Sequence, residues 1–440
     1  MGRFVIDGGY RVAGEVVPSG NKNEALPALA ACLLTDEEVV LENLPRIRDV
    51  EVMVQILQDL GAEAEWTGSN RLRVKAVEVR KSALDPALGR RVRASVLFAG
   101  SLMARRHEVV LPPPGGDVIG RRKLDTHFDA LMALGATLDV GDSYRLRADA
   151  LVGGEMFLEE ASVTATENAI MAAALAKGTT VIENAACEPH VRGLCRMLSA
   201  MGARIGGIGT NTLTIEGVDR LHGATHVVGP DYLEVGSYIG LAAVMGDGVT
   251  IHGANPRELR KIRGVFETLG VQMQFSEAGE AATPGGCPGG KVFVPGRQQL
   301  RVRPDLLGAI PQIDDAPWPQ FPTDLMSIAI VVATQSAGTT LFFEKMFEGR
   351  MFFVDGLIGM GASIILCDPH RVVVAGPSRL YGTTLESPDV RAGMALLIAS
   401  LAATGRSVIG NIRQIDRGYE RVDEKLRLLG ARIERLDEDG

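Results

Sequence analysis

A lysine and an asparagine lie where a tight turn leads into an apolar helix, at Ser19-Gly20-Asn21-Lys22-Asn23. Free backbone N–H groups at a helix N-terminus and a neighbouring ammonium group favour the same ligand, an anion. The spacing differs from a Walker loop, which needs two glycines separated by four residues and then Lys-Ser/Thr. Lys22 and Asn23 are therefore candidates for binding an anion, and a solvated helix cap is the alternative.

A loop rich in proline and glycine runs from Leu111 to Lys123, with the sequence LPPPGGDVIGRRK. It carries one acid, Asp117, at its centre and three adjacent cations at its end, of which Arg122 is the middle one. Loops of this composition commonly close over a site. The sequence thus predicts a lid, and an ordinary flexible connection is the alternative.

Asp324 ends the motif Phe321-Pro322-Thr323-Asp324 and precedes an apolar segment. Taken locally, this pattern predicts a helix N-cap. Several arginines also lie beside apolar helix-forming sequence, where a guanidinium group needs a salt bridge or a bound anion. These arginines are Arg93, Arg350, Arg391 and Arg417.

The composition excludes several classes of protein. The chain has 440 residues and a formal charge of −8, which argues against a nucleic-acid or anionic-membrane surface. Its five cysteines are dispersed and form no CxxC pair, which fits a reducing cytoplasm and gives no metal site. Neither a signal peptide nor a long apolar span is present, so a cytoplasmic protein without a membrane segment is expected.

Small apolar triplets with a central glycine recur along the chain, and the glycines are 74, 67, 68, 91 and 69 residues apart. Each triplet ends an amphipathic stretch and precedes a short apolar or alternating run. Glycine suits a helix C-terminus because it takes the left-handed conformation without a Cβ penalty. The pattern predicts six copies of a helix–Gly–strand unit, at Leu60-Gly61-Ala62, Leu134-Gly135-Ala136, Met201-Gly202-Ala203, Leu269-Gly270-Val271, Met360-Gly361-Ala362 and Leu429-Gly430-Ala431.

The repeats divide evenly, with three before residue 230 and three after it. In three copies an asparagine follows the first strand, at Asn43, Asn184 and Asn411. Two domains are expected for this length, with a site in the cleft between blocks of repeats. The longest spacing contains residues 277–319, which are rich in proline and glycine and are expected to form an inserted surface loop.

Four motifs together resemble one family, the UDP-N-acetylglucosamine 1-carboxyvinyltransferases, over nearly the whole chain. The segment from Ser19 to Asn23 is similar to the family's Ser-Gly-Ala-Lys-Asn start, and the segment from Pro114 to Gly120 is similar to its Pro-Gly-Gly-Cys-x-Ile-Gly loop. The segments 321–324 and 415–421 match the family's motifs as they stand.

The resemblance implies an α/β fold class, a two-domain inside-out α/β barrel built from six βαβαββ-type repeats with three in each domain. Residues 20–229 would form the first domain and carry the 111–123 lid loop, and residues 1–19 plus 230–440 would form the second. The helices would lie inside and the sheets outside. The active site would lie in the interdomain cleft.

The resemblance also implies the reaction. Enolpyruvate would pass from phosphoenolpyruvate to the 3′-hydroxyl of UDP-N-acetylglucosamine by addition and elimination with release of phosphate, the first committed step of peptidoglycan precursor synthesis. Both partners are small molecules, and no metal or organic cofactor is required. The chemistry needs a base for the hydroxyl, an acid for the methylene carbon, and cations for a phosphate and a carboxylate.

The matching motifs assign roles to individual residues. Asp324 would be the base at the sugar hydroxyl, Asn23 would bond that hydroxyl, and Asp117 would stand at the position of the acid. Lys22, Arg122 and Arg417 would hold the phosphoenolpyruvate anion. The other substrate-binding residues that the resemblance implies are Arg93, Asp125, Ser162, Val163, Glu188, Asp231, Met346, Arg350 and Arg391.

Two departures from the family pattern bear on the acceptor. Lys123 stands in Arg-Lys-Leu-Asp-Thr-His where the family has Arg-Pro-Val-Asp-Leu-His, and Glu160 stands where it often has lysine. An added anion works against a diphosphate, so an enolpyruvyl transferase for another nucleotide remains an alternative. A non-catalytic regulatory paralogue is a second one, although Lys22, Asp324 and Arg417 are retained. Shikimate 3-phosphate enolpyruvyl transferases usually carry Lys-Ser at the first motif, whereas this chain has Lys22-Asn23, which argues against that third alternative.

The aspartate in the lid motif generates the first testable prediction. Asp117 occupies the position of the family's cysteine thiol, and a lidded, anion-rich site is expected to raise its pKa towards neutrality so that it still donates a proton. Because a carboxylate is the weaker nucleophile, we expect the protein to stay active and to resist alkylation by the epoxide fosfomycin. Mass spectrometry of the treated protein checks this. Rapid irreversible inactivation with an adduct on the 111–123 loop would contradict it.

Overall fold

A computed structural model of the chain describes residues 2–116, 119–120, 122–276 and 289–436. The chain divides into two compact units. Unit 1 contains Met1–Ser19, Val118–Arg121 and Pro230–Gly440, and unit 2 contains Gly20–Asp117 and Arg122–Gly229.

The strands are short, and most have three to six residues. In chain order they are β1 (Arg3–Asp7), β2 (Val12–Val16), β3 (Glu38–Glu42), β4 (Glu63–Gly68), β5 (Arg71–Lys75), β6 (Glu108–Leu111), β7 (Thr137–Val140), β8 (Tyr144–Arg147), β9 (Glu155–Phe157), β10 (Thr179–Glu183), β11 (Arg204–Gly206), β12 (Thr212–Glu216), β13 (Thr225–Val227), β14 (Gly246–Ala254), β15 (Gln274–Ser276), β16 (Gly290–Val294), β17 (Gln312–Asp314), β18 (Gly338–Phe343), β19 (Ile364–Asp368), β20 (Arg371–Gly376), β21 (Thr384–Glu386), β22 (Arg406–Gly410) and β23 (Arg432–Leu436).

Helices alternate with these strands. They are α1 (Lys22–Ala31), α2 (Arg48–Asp59), α3 (Pro86–Gly89), α4 (Phe98–Arg106), α5 (Asp125–Ala133), α6 (Val163–Ala173), α7 (Pro189–Ala200), α8 (Tyr232–Met245), α9 (Arg260–Thr268), α10 (Met326–Thr334), α11 (Val354–Gly359), α12 (Val390–Ala402) and α13 (Val422–Leu428). Short 3-10 turns occupy Cys32–Leu34, Arg93–Leu97, Leu306–Gly308, Thr323–Leu325 and Ile415–Arg417.

One sheet topology recurs in both units. Within the described residues each unit has three sheets, and five of the six have four strands in the same arrangement of one parallel pair followed by two antiparallel pairs. Unit 2 has β13-β3-β5-β4, β9-β10-β12-β11 and the three-stranded β6-β8-β7, and unit 1 has β2-β14-β16-β15, β17-β18-β20-β19 and β21-β22-β1-β23. This recurrence confirms the six repeats predicted from the glycine triplets.

Two strands are exchanged in this pattern. β9, β17 and β21 each precede a buried helix and pair in parallel with the strand that follows that helix. β2 precedes α1 but pairs with β14, which follows α8, and β13 precedes α8 but pairs with β3, which follows α1. β1 likewise completes the last sheet, between β22 and β23.

The core of each unit is formed by helices that are rich in apolar residues and buried on nearly all sides. α1, α4 and α6 pack together in unit 2, and α8, α10 and α12 pack together in unit 1. Every residue of α10 is buried. A helix without a polar face is stable only where other elements cover it, so these helices lie inside and the sheets outside. The outer helices α2, α7 and α9 instead bury one face.

The predicted helix ends follow one geometry. The glycines of all six triplets have φ between +89° and +107°. In each triplet the third residue donates its N–H to the carbonyl five residues earlier, over 2.9–3.1 Å. This is the Schellman motif, which satisfies carbonyls that the helix leaves free. The prediction of left-handed glycines at these helix ends is confirmed.

The recurring asparagines also have a structural cause. Asn43, Asn184 and Asn411 adopt φ of 54°, 56° and 52°. Their side-chain amides donate to the carbonyls of Val228, Leu158 and Ser387 over 2.8, 2.7 and 2.9 Å. Asparagine tolerates the left-handed region better than other side chains, and its amide binds the adjacent parallel strand or the residue that follows it.

One prediction is wrong. Residues 277–319 were expected to form a surface loop, yet β16 and β17 lie within that range. β16 pairs with both β14 and β15, and β17 pairs with β18. The prolines and glycines of this range therefore lie before and after strands of the repeat. Residues 277–288 lie outside the described residues.

The helices also bear on membrane spanning. In the part of the chain that the structure describes, none of them combines the length and the apolar character that a bilayer crossing requires.

Replacement of Asn184 tests the role of the left-handed asparagines. Alanine loses the amide bond to Leu158 and is strained at φ 56°, so Asn184→Ala should lower the free energy of unfolding by about 2 kcal/mol. Asn184→Gly loses the same amide bond but tolerates this φ without strain, so it should lower the free energy of unfolding by only about 1 kcal/mol. Urea unfolding followed by circular dichroism measures both. The matched control is Asn211→Ala, at an exposed position, and equal stability of Asn184→Ala and the wild type would refute the assignment.

Candidate active site

In unit 1, predicted site residues lie at the N-terminal ends of the buried helices. Asp231 caps α8, Asp324 lies in the turn before α10, and Arg391 is the second residue of α12. Helix N-termini carry a partial positive charge and free N–H groups, which favour anions. The repeat therefore brings side chains from distant parts of the sequence to chemically similar positions.

Asp324 joins two of these arginines. Its Oδ1 accepts a hydrogen bond from Arg350 Nη2 at 2.5 Å, and its Oδ2 accepts one from Arg391 Nε at 3.1 Å. The side chain of Asp324 keeps 23% of its surface exposed, against 11% and 4% for the two arginines. Asp324 is thus a held but accessible carboxylate. The local N-cap prediction is wrong, because Asp324 lies within a 3-10 turn and its partners are these guanidinium groups.

Tyr419 supports Arg391 from the other side. The guanidinium carbon lies 5.3 Å from the ring centroid, and the Tyr419 hydroxyl bonds Ser237 Oγ at 2.8 Å. Burial opposes the charge of Arg391, but Tyr419, Asp324 and Asp231 outweigh it and raise its pKa well above the ordinary value. Arg391 therefore stays charged in a buried position.

A small pocket lies beside Arg350. Its volume is about 10 Å³, which admits one water-sized group, and it is lined by Thr323, Met326, Ser327, Arg350, Phe353, Asp389 and Ala392. Arg350 Nε and Arg391 Nη1 have no hydrogen-bond partner among the described side and main chains. Both N–H groups are therefore available to a ligand oxygen or to water.

The remaining predicted residues of unit 1 are Asp231, Arg417 and Met346. Asp231 is buried, accepts N–H bonds from Leu233 and Glu234 at 2.8 and 3.2 Å, and has its pKa raised chiefly by burial. Arg417 ends the 3-10 turn after β22 and donates to Gln414 Oε1 at 3.0 Å. Met346 lies in the segment after β18.

Lys22 is the first residue of α1 in unit 2, and its ammonium group is held by a carboxylate. Lys22 Nζ lies 2.8 Å from Asp49 Oδ2, and both side chains are almost buried. Asn21 caps the helix through Oδ1, which accepts from the N–H groups of Asn23 and Glu24. The predicted lysine at a helix N-terminus is present. Sequence reasoning missed Asp49, whose only signal was its place in the first turn of α2.

Arg93 and Arg122 form a second cationic group in unit 2. Arg93 Nη2 donates to the carbonyls of Arg122 and Lys123 at 2.9 and 3.1 Å. Burial, followed by the charge of Arg122, lowers the pKa of Arg93 to about 10. Two guanidinium groups that repel each other would be stabilised by an anion, so this pair can bind a phosphate or carboxylate.

His127 links α5, which begins at the predicted residue Asp125, to α6, which begins at the predicted residue Val163. Its Nε2 lies 3.1 Å from Thr164 Oγ1 and its Nδ1 lies 2.9 Å from Asn168 Nδ2. Burial, with the charges of Arg93 and Arg122, lowers its pKa to about 3, so the ring is neutral. Since the Asn168 amide is a donor, Nδ1 must accept and Nε2 must carry the proton.

The other predicted residues of this unit flank His127 in sequence or lie at helix starts. Asp125 begins α5 and is exposed, Ser162 caps α6 through Oγ, and Val163 is the first residue of α6. Glu188 precedes α7. Burial first, and then the charges of Glu188 and Glu24, raise the pKa of Glu167 well above its ordinary value.

Asp117 lies outside the described residues, so its predicted role stays a prediction. Two neighbouring residues of the loop, Ile119 and Gly120, are described and belong to unit 1. The N–H of Gly349 donates to the carbonyl of Ile119 at 2.8 Å. Within the described ranges, no group of three or more His, Cys, Asp or Glu side chains is placed to hold a metal ion.

The comparisons with known proteins bear on fold and class. A family model described as EPSP synthase (3-phosphoshikimate 1-carboxyvinyltransferase) matches residues 6–426. The enolpyruvyl transferase NikO from Streptomyces tendae superposes with a TM-score of 0.85 at 24% identity, covering 99% of this chain and 98% of that one. EPSP synthase from Acinetobacter baumannii gives a TM-score of 0.76 at 19% identity, covering 99% and 100%. These likenesses confirm the two-domain α/β fold class, and the family model defines a carboxyvinyl transferase.

Curated relatives narrow the class. A protein of Bradyrhizobium diazoefficiens named UDP-N-acetylglucosamine 1-carboxyvinyltransferase is 53% identical over 99% of this chain and 98% of its own length. A protein of Treponema denticola with the same name is 52% identical over 99% of each. The chain belongs to the UDP-N-acetylglucosamine 1-carboxyvinyltransferase family, and the enolpyruvyl transferase predicted from the motifs is confirmed.

Asp49 supplies a test of the Lys22 site. Asp49→Asn removes the charge that holds the ammonium group, so we expect the KM for the anionic donor to rise about tenfold with a smaller fall in kcat, equivalent to about 1.4 kcal/mol of binding. Steady-state kinetics with varied phosphoenolpyruvate measures the split. Glu51→Gln on the same helix is the control, since that side chain is 39% exposed. A lower KM in Asp49→Asn would mean that Asp49 competes with the donor for Lys22.

Proposed function

We propose that this chain transfers the enolpyruvyl group of phosphoenolpyruvate to the 3′-hydroxyl of UDP-N-acetylglucosamine, with release of phosphate. The observation that carries the proposal is the Asp324 carboxylate, which is partly exposed and held by Arg350 and Arg391. Relatives about half identical over almost the whole chain carry the name of that reaction.

In the addition step, Asp324 would accept the proton of the acceptor hydroxyl. The hydroxyl oxygen would attack C2 of phosphoenolpyruvate while a proton is added to C3, giving a tetrahedral intermediate. Arg350 and Arg391 support this role, because they orient the carboxylate and balance its charge until it takes up the proton. Asp117 is the acid at C3 that the motif implies.

In the elimination step, the bond between C2 and the phosphate oxygen would break and C3 would lose a proton, which leaves an enol ether and inorganic phosphate. Lys22, Arg122 and Arg417 would hold the donor through both steps. The cations of unit 2 support anion binding. Lys22 is almost buried at the start of α1, and Arg93 and Arg122 are partly buried cations close to each other.

The specificity of the acceptor decides between the main proposal and its alternative. Lys123 and Glu160, which depart from the family pattern, are both exposed side chains. The purified protein should release phosphate from phosphoenolpyruvate with UDP-N-acetylglucosamine, and not with UMP, shikimate 3-phosphate or no acceptor. Release with another acceptor would make these departures specificity changes, and no release with any of them would indicate a regulatory paralogue.

Asp324→Asn tests the proposed base. An amide cannot take up the hydroxyl proton, so kcat should fall by about 10²- to 10⁴-fold while the fold is retained. Phosphate release and product formation measure the loss, and circular dichroism checks the fold. Asp7→Asn is the matched control, since Asp7 pairs with Arg406 at the surface of the same unit. Activity of Asp324→Asn within threefold of the wild type would exclude Asp324 as the base.

A further inference from the structure

Glu344 follows β18 and is fully buried, although it carries a carboxyl group. Its Oε1 accepts the backbone N–H groups of Met346 and Phe347 at 3.1 and 3.0 Å. The hydroxyl of Thr323 lies 3.1 and 2.9 Å from its two oxygens. One side chain therefore satisfies donors from two separate segments of unit 1.

These two segments are the ones that carry the proposed acceptor chemistry. Thr323 is the residue before Asp324, in the 3-10 turn Thr323–Leu325. Met346 and Phe347 begin the segment that leads to Arg350, which holds Asp324 Oδ1. The Glu344 carboxyl group thus closes a ring of contacts that runs from Thr323 through Asp324 and Arg350 back to Met346.

Asp315 is the carboxyl group beside Glu344. Asp315 is also fully buried, and its Oδ1 accepts the N–H of Lys345 at 2.6 Å. Its Oδ2 meets no N–H or hydroxyl donor among the residues described. A proton shared between the carboxyl groups of Asp315 and Glu344 would give this buried oxygen a donor, because two carboxyl groups can bond only when one of them is protonated.

We propose that Glu344 is a positioning residue of the acceptor site, which holds Asp324 and the Met346–Arg350 segment in one arrangement through its bonds to Thr323, Met346, Phe347 and Asp315. The inference rests on the proposed function for its link to catalysis. Its structural part, a carboxyl pair that shares one proton, stands independently of the substrate.

The surroundings explain why the pair keeps its proton at neutral pH. Burial first, and then the bond and charge of Asp315, raise the pKa of Glu344 from its ordinary value of 4.5 to about 9, although Arg350 and Thr323 act in the opposite direction. The other titratable groups near the pair are Asp314 and Lys345, which bond each other at 2.6 Å, His370, whose Nδ1 lies 2.7 Å from the Glu344 carbonyl, and Asp324 and Asp389 beside Arg350.

Loss of the shared proton would place two negative charges in contact inside the protein. The carboxyl groups would separate, and the Thr323 and Met346 contacts would weaken with them. The acceptor KM should therefore rise above about pH 9. The folded protein also binds a proton that the unfolded chain releases above its ordinary pKa, so stability should decline as the pH rises from about 4.5 to about 9.

Kinetic analysis of Glu344→Gln and Glu344→Ala tests the positioning role. Alanine removes all four bonds, so the acceptor KM should rise at least tenfold with little change in the KM for phosphoenolpyruvate. Glutamine donates to Asp315 and still accepts from Thr323 and Met346, so it should recover most of that loss. Because glutamine has no proton to lose, the alkaline rise in acceptor KM should disappear. Asp314→Asn, a change at the exposed neighbouring carboxylate, is the control and should keep the wild-type pH profile.

An unchanged alkaline limb in Glu344→Gln would overturn the proposal, as would equal effects of Glu344→Ala on both KM values. The pH dependence of the melting temperature gives a second test that needs no turnover. Between pH 5 and 9 the wild type should lose stability relative to Glu344→Gln, and parallel curves would show that the pair shares no proton. If the wild type turned over no acceptor, the proposed function would fail while this melting comparison still decided the carboxyl pair.

Discussion

One carboxylate between two buried guanidinium groups is the interaction on which the chemistry of unit 1 depends. Asp324 bonds Arg350 and Arg391, and each arginine is almost removed from water. Removing one partner of such a buried pair typically costs about 3–5 kcal/mol, because the remaining charge is left uncompensated. The turn before α10, the start of α12 and the segment after β18 are therefore fixed together, and the proposed base is also the group that joins them.

The repeat explains how this arrangement is produced. Each buried helix is rich in apolar residues and is covered by other elements, and its first turn offers free N–H groups to polar side chains. Asp231, Asp324 and Arg391 occupy that position on α8, α10 and α12, and Lys22 and Ser162 occupy it on α1 and α6. An acidic chain with a formal charge of −8 can thus gather cations and positive helix ends where an anion has to bind.

The sequence predicted the features that local chemistry controls. The triplet glycines and the repeated asparagines both correspond to left-handed backbone positions, which few residue types tolerate. The loop prediction at 277–319 failed because proline and glycine bound short strands as readily as they form loops, and pairing of β16 with β14 depends on residues far away. Asp324 looked like a helix cap because its true partner Arg391 lies 67 residues further along the chain. Asp49, His127 and Glu344 were missed for the same reason, since each acts through a tertiary contact.

The position of β1 in its sheet sets the order in which the two units can fold during synthesis. Asp7 pairs with Arg406, 399 residues later, so the first strand must wait for almost the entire chain to be synthesised before its partners exist. At a ribosomal rate of roughly 5–20 residues per second, that wait lasts about 20–80 seconds. All strands of unit 2 have been made once β13 has left the ribosome, so this unit can fold while β1 is still unpaired. An unpaired strand exposes N–H and C=O groups that can bond another chain, so β1 is open to such contacts until β22 and β23 have been made.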